Sequence, residues 1–329
     1  MSDCAAPTLG GILVTGANGF VGRALVEHLS ASQPHPVVAA VRRTDAALPS
    51  QVSKRTAPDL GPGADWSPVL QGIDCVIHAA ARVHVMQDTA ADPLEAFRQV
   101  NTAGTLALAA QAAQAGVRRF VFISSIKVNG EHTLPGQPFS ADQAPRPSDP
   151  YGISKHEAEQ GLLRLAQETA MEVVIVRPVL VYGPGVGANV ASMMRWLARG
   201  VPLPLGAIDN RRSLVSLANL VDFVALCVAH PQAANQIFLV SDGEDLSTTD
   251  LLRRMSRALG RRPLLLPVPA ACLAWAARLL GKAGVAQRLL GSLQVDIEKN
   301  EQRLGWQPAV AVDVALQATA RHFLEHQRR

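Results

Sequence analysis

The chain has 329 residues, 48% of them hydrophobic and 4% aromatic, and a formal net charge of +4. That length suits one large domain or two intimate ones, with a core built from Ala, Val and Leu rather than from rings. The charge comes as dispersed arginine pairs, Arg42-Arg43, Arg118-Arg119, Arg211-Arg212, Arg253-Arg254 and Arg261-Arg262, which read as mostly solvated and speak against the concentrated basic stripe that nucleic-acid binding wants.

In chain order, residues 11–15 form a short apolar strand, too brief for the core of a signal peptide. Residues 20–30 repeat at the helical period, and 36–41 and 75–80 read as the next two strands. Residues 93–115 predict one long Ala-rich helix stopped by Gly116. Residues 119–125 are a strand, 151–170 a helix and 172–177 a strand. Buried apolar strands alternating with helices imply a parallel sheet covered on both faces, joined by right-handed crossovers. Beyond Pro178, proline and glycine become frequent, and helices recur at about 189–199, 218–229, 248–259 and 270–280. That is the pattern of a smaller, irregular lobe. The apolar stretch 263–280 is broken by Pro267, Pro269 and Arg278 and falls short of the roughly 20 residues of a membrane span. It reads as a short strand and a packed helix, with peripheral membrane contact as a lesser reading, so the expected location is the cytoplasm. Disorder is expected in the first few residues and in 326–329. The four cysteines, Cys4, Cys75, Cys227 and Cys272, show neither metal-ligand nor disulfide spacing, and no metal site is expected.

The first strand runs into Thr15-Gly16-Ala17-Asn18-Gly19-Phe20-Val21-Gly22. A glycine triplet between a strand and a helix permits the sharp turn, lets backbone approach a pyrophosphate and lets the helix lie close to the sheet. The helix start then offers free N–H groups to phosphate. After the second strand a carboxylate would bind the ribose 2′-hydroxyl of NAD. Arg42 and Arg43 stand there instead, and a guanidinium grips a 2′-phosphate. NADP(H) is therefore the expected cofactor, with NAD, its ribose held by Asp45, as the alternative.

In Asp149-Pro150-Tyr151-Gly152-Ile153-Ser154-Lys155, a helix capped by Asp149 and opened by Pro150 puts Tyr151 and Lys155 on one face. A phenol has a pKa of about 10, and a neighbouring ammonium is expected to bring it down, so that Tyr151 can exchange a proton with a reacting hydroxyl or carbonyl. Ser124 and Ser125 end a strand, where ligands bind in open α/β sheets. Ser125 is the candidate to hydrogen-bond the same substrate oxygen.

These residues, with His78-Ala79-Ala80-Ala81, Asn101, Gly104-Thr105, Arg177-Pro178 and Val181-Tyr182-Gly183-Pro184, resemble the extended short-chain dehydrogenase/reductase superfamily, in its NAD-dependent epimerase/dehydratase group. The resemblance implies an α/β, doubly wound Rossmann domain over residues 1–178, with segments of about 216–240 returning to it, and a mainly nucleotide-sugar-binding lobe over 179–329. It implies Ser125, Tyr151 and Lys155 as the catalytic triad, and a cofactor held by Gly16, Asn18, Gly19, Phe20, Val21, Gly22, Arg42, Arg43, Asp59, Leu60, Ala79, Ala80, Ala81, Asn101, Lys155 and Pro178. Ser124, Lys127, Asn189 and Arg212 are the implied substrate-binding residues. Surface solvation for Arg211 and helix capping for Asn189 are the plain readings beside these. Two positions depart from the family pattern: Leu180 replaces an expected Asn, and Lys127 replaces a small residue. The strings 124–130, 211–216 and 291–296 look like those of bacterial UDP-4-keto-6-deoxy-N-acetylhexosamine 4-reductases. A dimer through a helix pair is common in the family, which makes 93–115 and 151–170 candidate interface helices.

The leading expectation is thus NADPH-dependent reduction of the C4 ketone of a UDP-4-keto-6-deoxy-N-acetylhexosamine in surface-polysaccharide synthesis. The alternative is an NAD-dependent UDP-hexose or UDP-N-acetylhexosamine 4-epimerase. A third reading is an NADPH reductase of a small apolar ketone. Retention of Ser125, Tyr151 and Lys155 argues against a catalytically dead sensor.

Overall fold

The computed structural model describes residues 10–43, 47–83, 92–134, 136–281 and 283–327. The chain divides into two compact units. One comprises Met1–Asn129, Ala144–Arg177 and Val221–Phe238; the other comprises Gly130–Gln143, Pro178–Leu220 and Leu239–Arg329.

In chain order the elements are β1 (Gly11–Thr15), α1 (Phe20–Ser32), β2 (Val37–Val41), β3 (Ser53–Thr56), α2 (Ser67–Leu70), β4 (Ile73–His78), α3 (Pro93–Phe97), a π-helix (Arg98–Gly104), α4 (Thr105–Gln114), β5 (Arg119–Ile123), α5 (Pro150–Glu168) and β6 (Glu172–Pro178). Then follow β7 (Leu180–Tyr182), α6 (Ala188–Ala198), β8 (Arg212–Ser216), α7 (Leu217–Ala229), β9 (Gln236–Val240), β10 (Asp245–Leu246), α8 (Thr248–Ala258), α9 (Ala270–Leu279), α10 (Ala283–Leu290), α11 (Glu298–Leu304) and α12 (Val312–Gln327).

A seven-stranded sheet has the order β3-β2-β1-β4-β5-β6-β9, and each paired neighbour from β3 through β6 is parallel. This is a Rossmann-type sheet with a smaller C-terminal lobe. The strand order reverses between β1 and β4, which is where such sheets take their ligands. Every residue of β1, β2 and β5 is buried, as strands covered on both faces require. The core of this unit packs Leu108, Ala109 and Ala112 of α4 and Leu162 of α5 against Phe120, Phe122, Val173 and Ile175. Each fully buried large side chain of this kind contributes about 1.5–3 kcal/mol.

Three local differences from the sequence reading have physical causes. The edge strand β3 is Ser-Lys-Arg-Thr and partly exposed; polar edge strands resist unwanted pairing, and they lack the apolar signature that reveals a strand. The region expected as one helix over 93–115 is α3, the π-helix and α4 in succession. Arg119 is not solvated. Its guanidinium is buried, pairs with Glu172 and donates to the carbonyls of Cys227 (2.8 Å) and His230 (2.9 Å), satisfying acceptors left at the end of α7.

The second unit holds a three-stranded sheet, β10-β8-β7. Its core gathers Tyr182, Met194, Leu214, Leu252, Met255, Leu316 and Ala320. The strings 211–216 and 291–296, far apart in sequence, lie side by side: Ser213 N–H donates to the Leu293 carbonyl and Leu293 N–H to the Arg211 carbonyl. The segment 133–139 joins the other edge of 292–296 through Thr133, Phe139 and Asp296. Helix α12 runs to Gln327, so residues 326 and 327 are helical where disorder is expected from sequence. No helix of the described residues is long and apolar enough to cross a membrane. No group of His, Cys, Asp and Glu among them could hold a metal ion.

Candidate active site

The nucleotide cradle is built by close approach of backbone. Gly16 has φ +67°, and a Cβ there would stand 2.8 Å from the Ala80 amide nitrogen. A Cβ at Gly22 would collide with the Gly16 carbonyl oxygen. The turn, the start of α1 and the Ala79–Ala80 backbone are thus pressed together at the β1/β4 crevice, and only glycine permits it. Asn18 and Gly19 are exposed in the turn, with Phe20 and Val21 half-buried behind them. No side chain caps the start of α1 and no carboxylate sits in its first turn. The positive end of the helix is open to an anion, so these residues fit a dinucleotide diphosphate.

Below the cradle, His78 closes β4. Its Nδ1 is 2.7 Å from the Thr15 hydroxyl and its Nε2 3.0 Å from the Thr105 hydroxyl. Burial, reinforced by the Lys155 charge, pushes this imidazole down to about 3, so it is neutral and ties β1 to α4. The Thr15 hydroxyl also accepts from the Ala80 N–H. Ala79, Ala80 and Ala81 are half-buried. Asn101, in the π-helix, is fully buried. It accepts from the Arg82 N–H (2.8 Å) and donates to the Arg82 carbonyl (3.0 Å) and the Ser154 hydroxyl (3.1 Å). Its amide therefore fixes the turn after β4 onto α5.

At the end of β2, Arg42 reaches out beside Asp59, at 3.9 Å, with side chains 81% and 92% exposed. The guanidinium expected to receive a 2′-phosphate already has a carboxylate as neighbour, which offsets its charge. Arg43 is exposed, and Leu60 packs partly buried against the core. Asp45 lies outside the described residues.

Helix α5 begins as the sequence implies: Asp149 accepts from the Gly152 N–H at 2.7 Å, with Pro150 in the first position. Gly152 lies against the turn after β5, where a Cβ would stand 2.9 Å from the Lys127 carbonyl oxygen. That contact brings the start of α5, and Tyr151 with it, to the Ser125–Val128 turn. Ser125 caps this turn by accepting from the Lys127 N–H at 3.3 Å and is half-buried. The Tyr151 ring packs edge-on against Phe97, 5.9 Å between centroids. Burial pushes its phenol up to about 12, and the Asp149 carboxylate acts in the same direction. This reverses the lowering expected from Lys155, whose ammonium donates to the Ile123 carbonyl at 2.9 Å and lies 4.4 Å from the Phe122 ring centroid. Burial brings Lys155 down to about 7, with Glu159 opposing. Pro178 ends β6 and is buried.

The adjacent Ser124 belongs to another cluster. It is buried and donates to Glu159. Glu159 also accepts from Arg177 Nε at 2.9 Å and from Arg177 Nη2, while Arg177 Nη1 donates to Asn129 at 2.9 Å. Ser124 thus has a buried structural partner. Lys127 is ion-paired with Asp149. Glu159 is the residue that the motif analysis missed. It continues the four-residue spacing Tyr151, Lys155, Glu159 along α5, a signal visible in the sequence.

In the second unit, Asn189 stands exposed in the first turn of α6, whose cap is Gly187. Arg212 opens β8, half-buried, and donates to the Gly291 carbonyl at 3.0 Å. Burial lowers its pKa.

With this geometry in view, the likenesses of the chain become decisive. Residues 12–241 match the model of the NAD dependent epimerase/dehydratase family. The chain is 48% identical to a UDP-glucose 4-epimerase of Vibrio cholerae over 322 residues, 97% of each chain. The solved structure of MoeE5 with UDP-glucuronic acid and NAD shares 26% identity at TM-score 0.76 and covers 96% of this chain and 100% of that one. The UDP-glucose 4-epimerase of Thermus thermophilus, solved as a complex with NAD, shares the fold at TM-score 0.76 and 24% identity, covering 95% of this chain and 99% of that one.

These findings overturn the expected NADPH-dependent 4-keto reductase and its preference for NADP(H). The likeness runs to UDP-sugar 4-epimerases and to structures that hold NAD. Arg42, on which the NADP(H) expectation rested, is neighboured by Asp59. Glycine cradle, reversed strand order and Tyr/Lys helix agree with the family match: the chain belongs to the NAD dependent epimerase/dehydratase family, as an NAD(P)-dependent oxidoreductase of the extended short-chain dehydrogenase/reductase type.

Proposed function

We propose that the chain is a UDP-hexose or UDP-N-acetylhexosamine 4-epimerase that retains NAD. The observation that carries this reading is the 48% identity, over 97% of both chains, to the UDP-glucose 4-epimerase of Vibrio cholerae. Gly16, Asn18, Gly19, Phe20, Val21 and Gly22 would hold the dinucleotide diphosphate. Asp59 and Leu60, Ala79, Ala80 and Ala81, and Lys155 and Pro178 would border the rest of it, with Asn101 fixing the alanine turn. When bound, NAD supplies a hydride acceptor that returns the hydride to the same carbon.

The residues of the chain manage the proton. Tyr151 is the group that takes the proton of the sugar C4 hydroxyl and gives it back. Ser125, half-buried beside it, is the partner that hydrogen-bonds the same oxygen. Lys155, one turn along α5, is the group that passes that proton on. Brought down to about 7, it can hold or release a proton near neutrality, as a relay group must. In the second unit, Arg212 and Asn189 would receive the substrate diphosphate. Ser124 and Lys127 are left out of this assignment because Glu159 and Asp149 engage them.

The test is direct. Protein purified without added cofactor is incubated with UDP-glucose, and separately with UDP-N-acetylglucosamine, and the C4 configuration is followed by proton NMR. Nucleotide released by denaturation is identified by chromatography. Interconversion of C4 epimers by protein carrying NAD is expected. Protein that carries NAD and epimerises neither sugar nucleotide overturns the reading.

A further inference from the structure

The net positive charge of this chain comes from one segment. Residues 251–295 contain eight basic residues and no acidic one, whereas the other 284 residues carry 23 basic and 27 acidic. The segment is therefore +8 and the remainder −4, which the reading of dispersed arginine pairs conceals. Arg253 and Arg254, on α8, pair with Asp250, Glu244 and Asp313. Arg257, Arg261, Arg262, Arg278 and Arg288 are exposed, and none forms an ion pair among the described residues.

The helix inside this segment is turned inside out. Helix α9 is almost wholly apolar, Ala-Ala-Cys-Leu-Ala-Trp-Ala-Ala-Arg-Leu, and has no buried residue. Its most exposed positions, Ala271, Cys272, Trp275, Arg278 and Leu279, fall on one stripe. Trp275 is 66% exposed, Leu279 67% and Leu280 72%. Helix α9 packs on α10, and Val285 of α10 is exposed too, as are Leu264 and Leu266 just before α9. A water-facing helix of a globular protein puts its apolar stripe inward. This one presents Trp and Leu outward, beside unpaired arginines.

Three occupants compete for such a face, and charge separates them. A second copy of the chain would set the same unpaired arginines against one another. An acidic protein would match the charge, but a protein interface commonly sets Trp and Leu in a pocketed apolar core with the charges at its rim. An apolar stripe carrying Trp and flanked by arginines, in a segment with no acidic residue, is the composition of a helix that lies in the plane of an anionic bilayer. We propose that the α9–α10 face docks on an anionic phospholipid surface, with Trp275 and Leu279 at the acyl boundary and the unpaired arginines among the headgroup phosphates.

The full chain is tested by flotation with vesicles of phosphatidylcholine alone and of phosphatidylcholine mixed with phosphatidylglycerol. Flotation is expected with the mixed vesicles only, weakening as salt is raised. The double change Trp275→Glu and Leu279→Glu is expected to weaken binding by about tenfold or more. Arg261→Gln, Arg262→Gln and Arg278→Gln together should weaken it by on the order of a hundredfold. Because these side chains are exposed, both variants should keep the thermal unfolding and turnover of the unaltered chain. The salt titration gives the same test without any variant. Failure to float with phosphatidylglycerol, equal flotation with phosphatidylcholine alone, or a dimer in solution that Trp275→Glu and Leu279→Glu dissociate would each overturn the proposal.

Discussion

Ser124 and Ser125 are neighbours in sequence, yet they belong to two differently built clusters on the same helix. Ser124 joins Glu159, Arg177 and Asn129, where every charged group has a partner and the ion pair is almost fully buried. Ser125 caps the turn that the start of α5 meets at Gly152; on that helix burial is the leading cause of the Tyr151 and Lys155 pKa shifts, and the Lys155 ammonium has a carbonyl and a ring for partners. One turn of α5 separates Lys155 from Glu159. The first cluster is a structural clamp. The second holds titratable groups away from their ordinary pKa values, which is the arrangement chemistry needs. The kind of partner, a carboxylate in the first and a carbonyl and a ring in the second, distinguishes the two clusters.

The sharpest way to break this comparison is at the Tyr/Lys pair. Tyr151→Phe should lower kcat by about 10²–10⁴-fold and leave the melting temperature unchanged. Lys155→Met should cost a similar factor and raise the melting temperature. The sign follows from the shift: the folded-state pKa of about 7 lies below the ordinary 10.5, so between those values the unfolded chain binds a proton that the folded chain does not. The stability gained by removing Lys155 should be full below pH 7 and should fade by pH 10.5. Scanning calorimetry against pH checks this; a gain that grows with pH would be the wrong sign.

The second test is on the clamp. Glu159→Ala leaves the Arg177 guanidinium buried without its carboxylate and should cost about 3–5 kcal/mol in urea unfolding. The third compares the two serines directly. Ser124→Ala should cost about 1–3 kcal/mol of stability and spare turnover, whereas Ser125→Ala should lose about ten- to a hundredfold in kcat at constant stability. Reversed outcomes for the two serines would collapse the distinction. The smallest effect is expected at Arg42, which stands in solvent beside Asp59. Arg42→Ala should leave retained NAD within about twofold of the unaltered protein, as surface ion pairs contribute little.

The cradle and the Tyr/Lys helix were legible in the sequence because both are local. Gly16, Gly19 and Gly22, and Asp149, Pro150, Tyr151 and Lys155, each lie within one turn or one strand–helix junction. What stayed hidden depends on contacts across many residues. The partner of Ser124 is 35 residues away, and Arg177 reads as a family mark until Glu159 is set beside it. The outward partner of Arg42 was invisible for the same reason: an arginine at a strand end looks like an anion receptor until Asp59 is placed against it. The charge segregation of 251–295 was legible but was masked by counting arginines in pairs rather than along the chain.

The π-helix between α3 and α4 has a consequence for the way this chain tolerates insertions and deletions. A π turn is an α-helix carrying one surplus residue, and removing a residue restores the α-helical repeat. Wound as a regular α-helix with that residue kept, the present sequence would rotate everything beyond it by about 100° and push it on by about 1.5 Å. Phe97, before the turn, rests on Tyr151, and Leu108, Ala109 and Ala112, after it, sit in the core. A regular helix cannot meet both demands in the present sequence. The π turn acts as a phase correction between the face that rests on Tyr151 and the face packed in the core, and Asn101 lies within it. A single-residue deletion within 98–104 would close the π turn with both faces still in phase, so its cost falls on Asn101 and its neighbours rather than on the core.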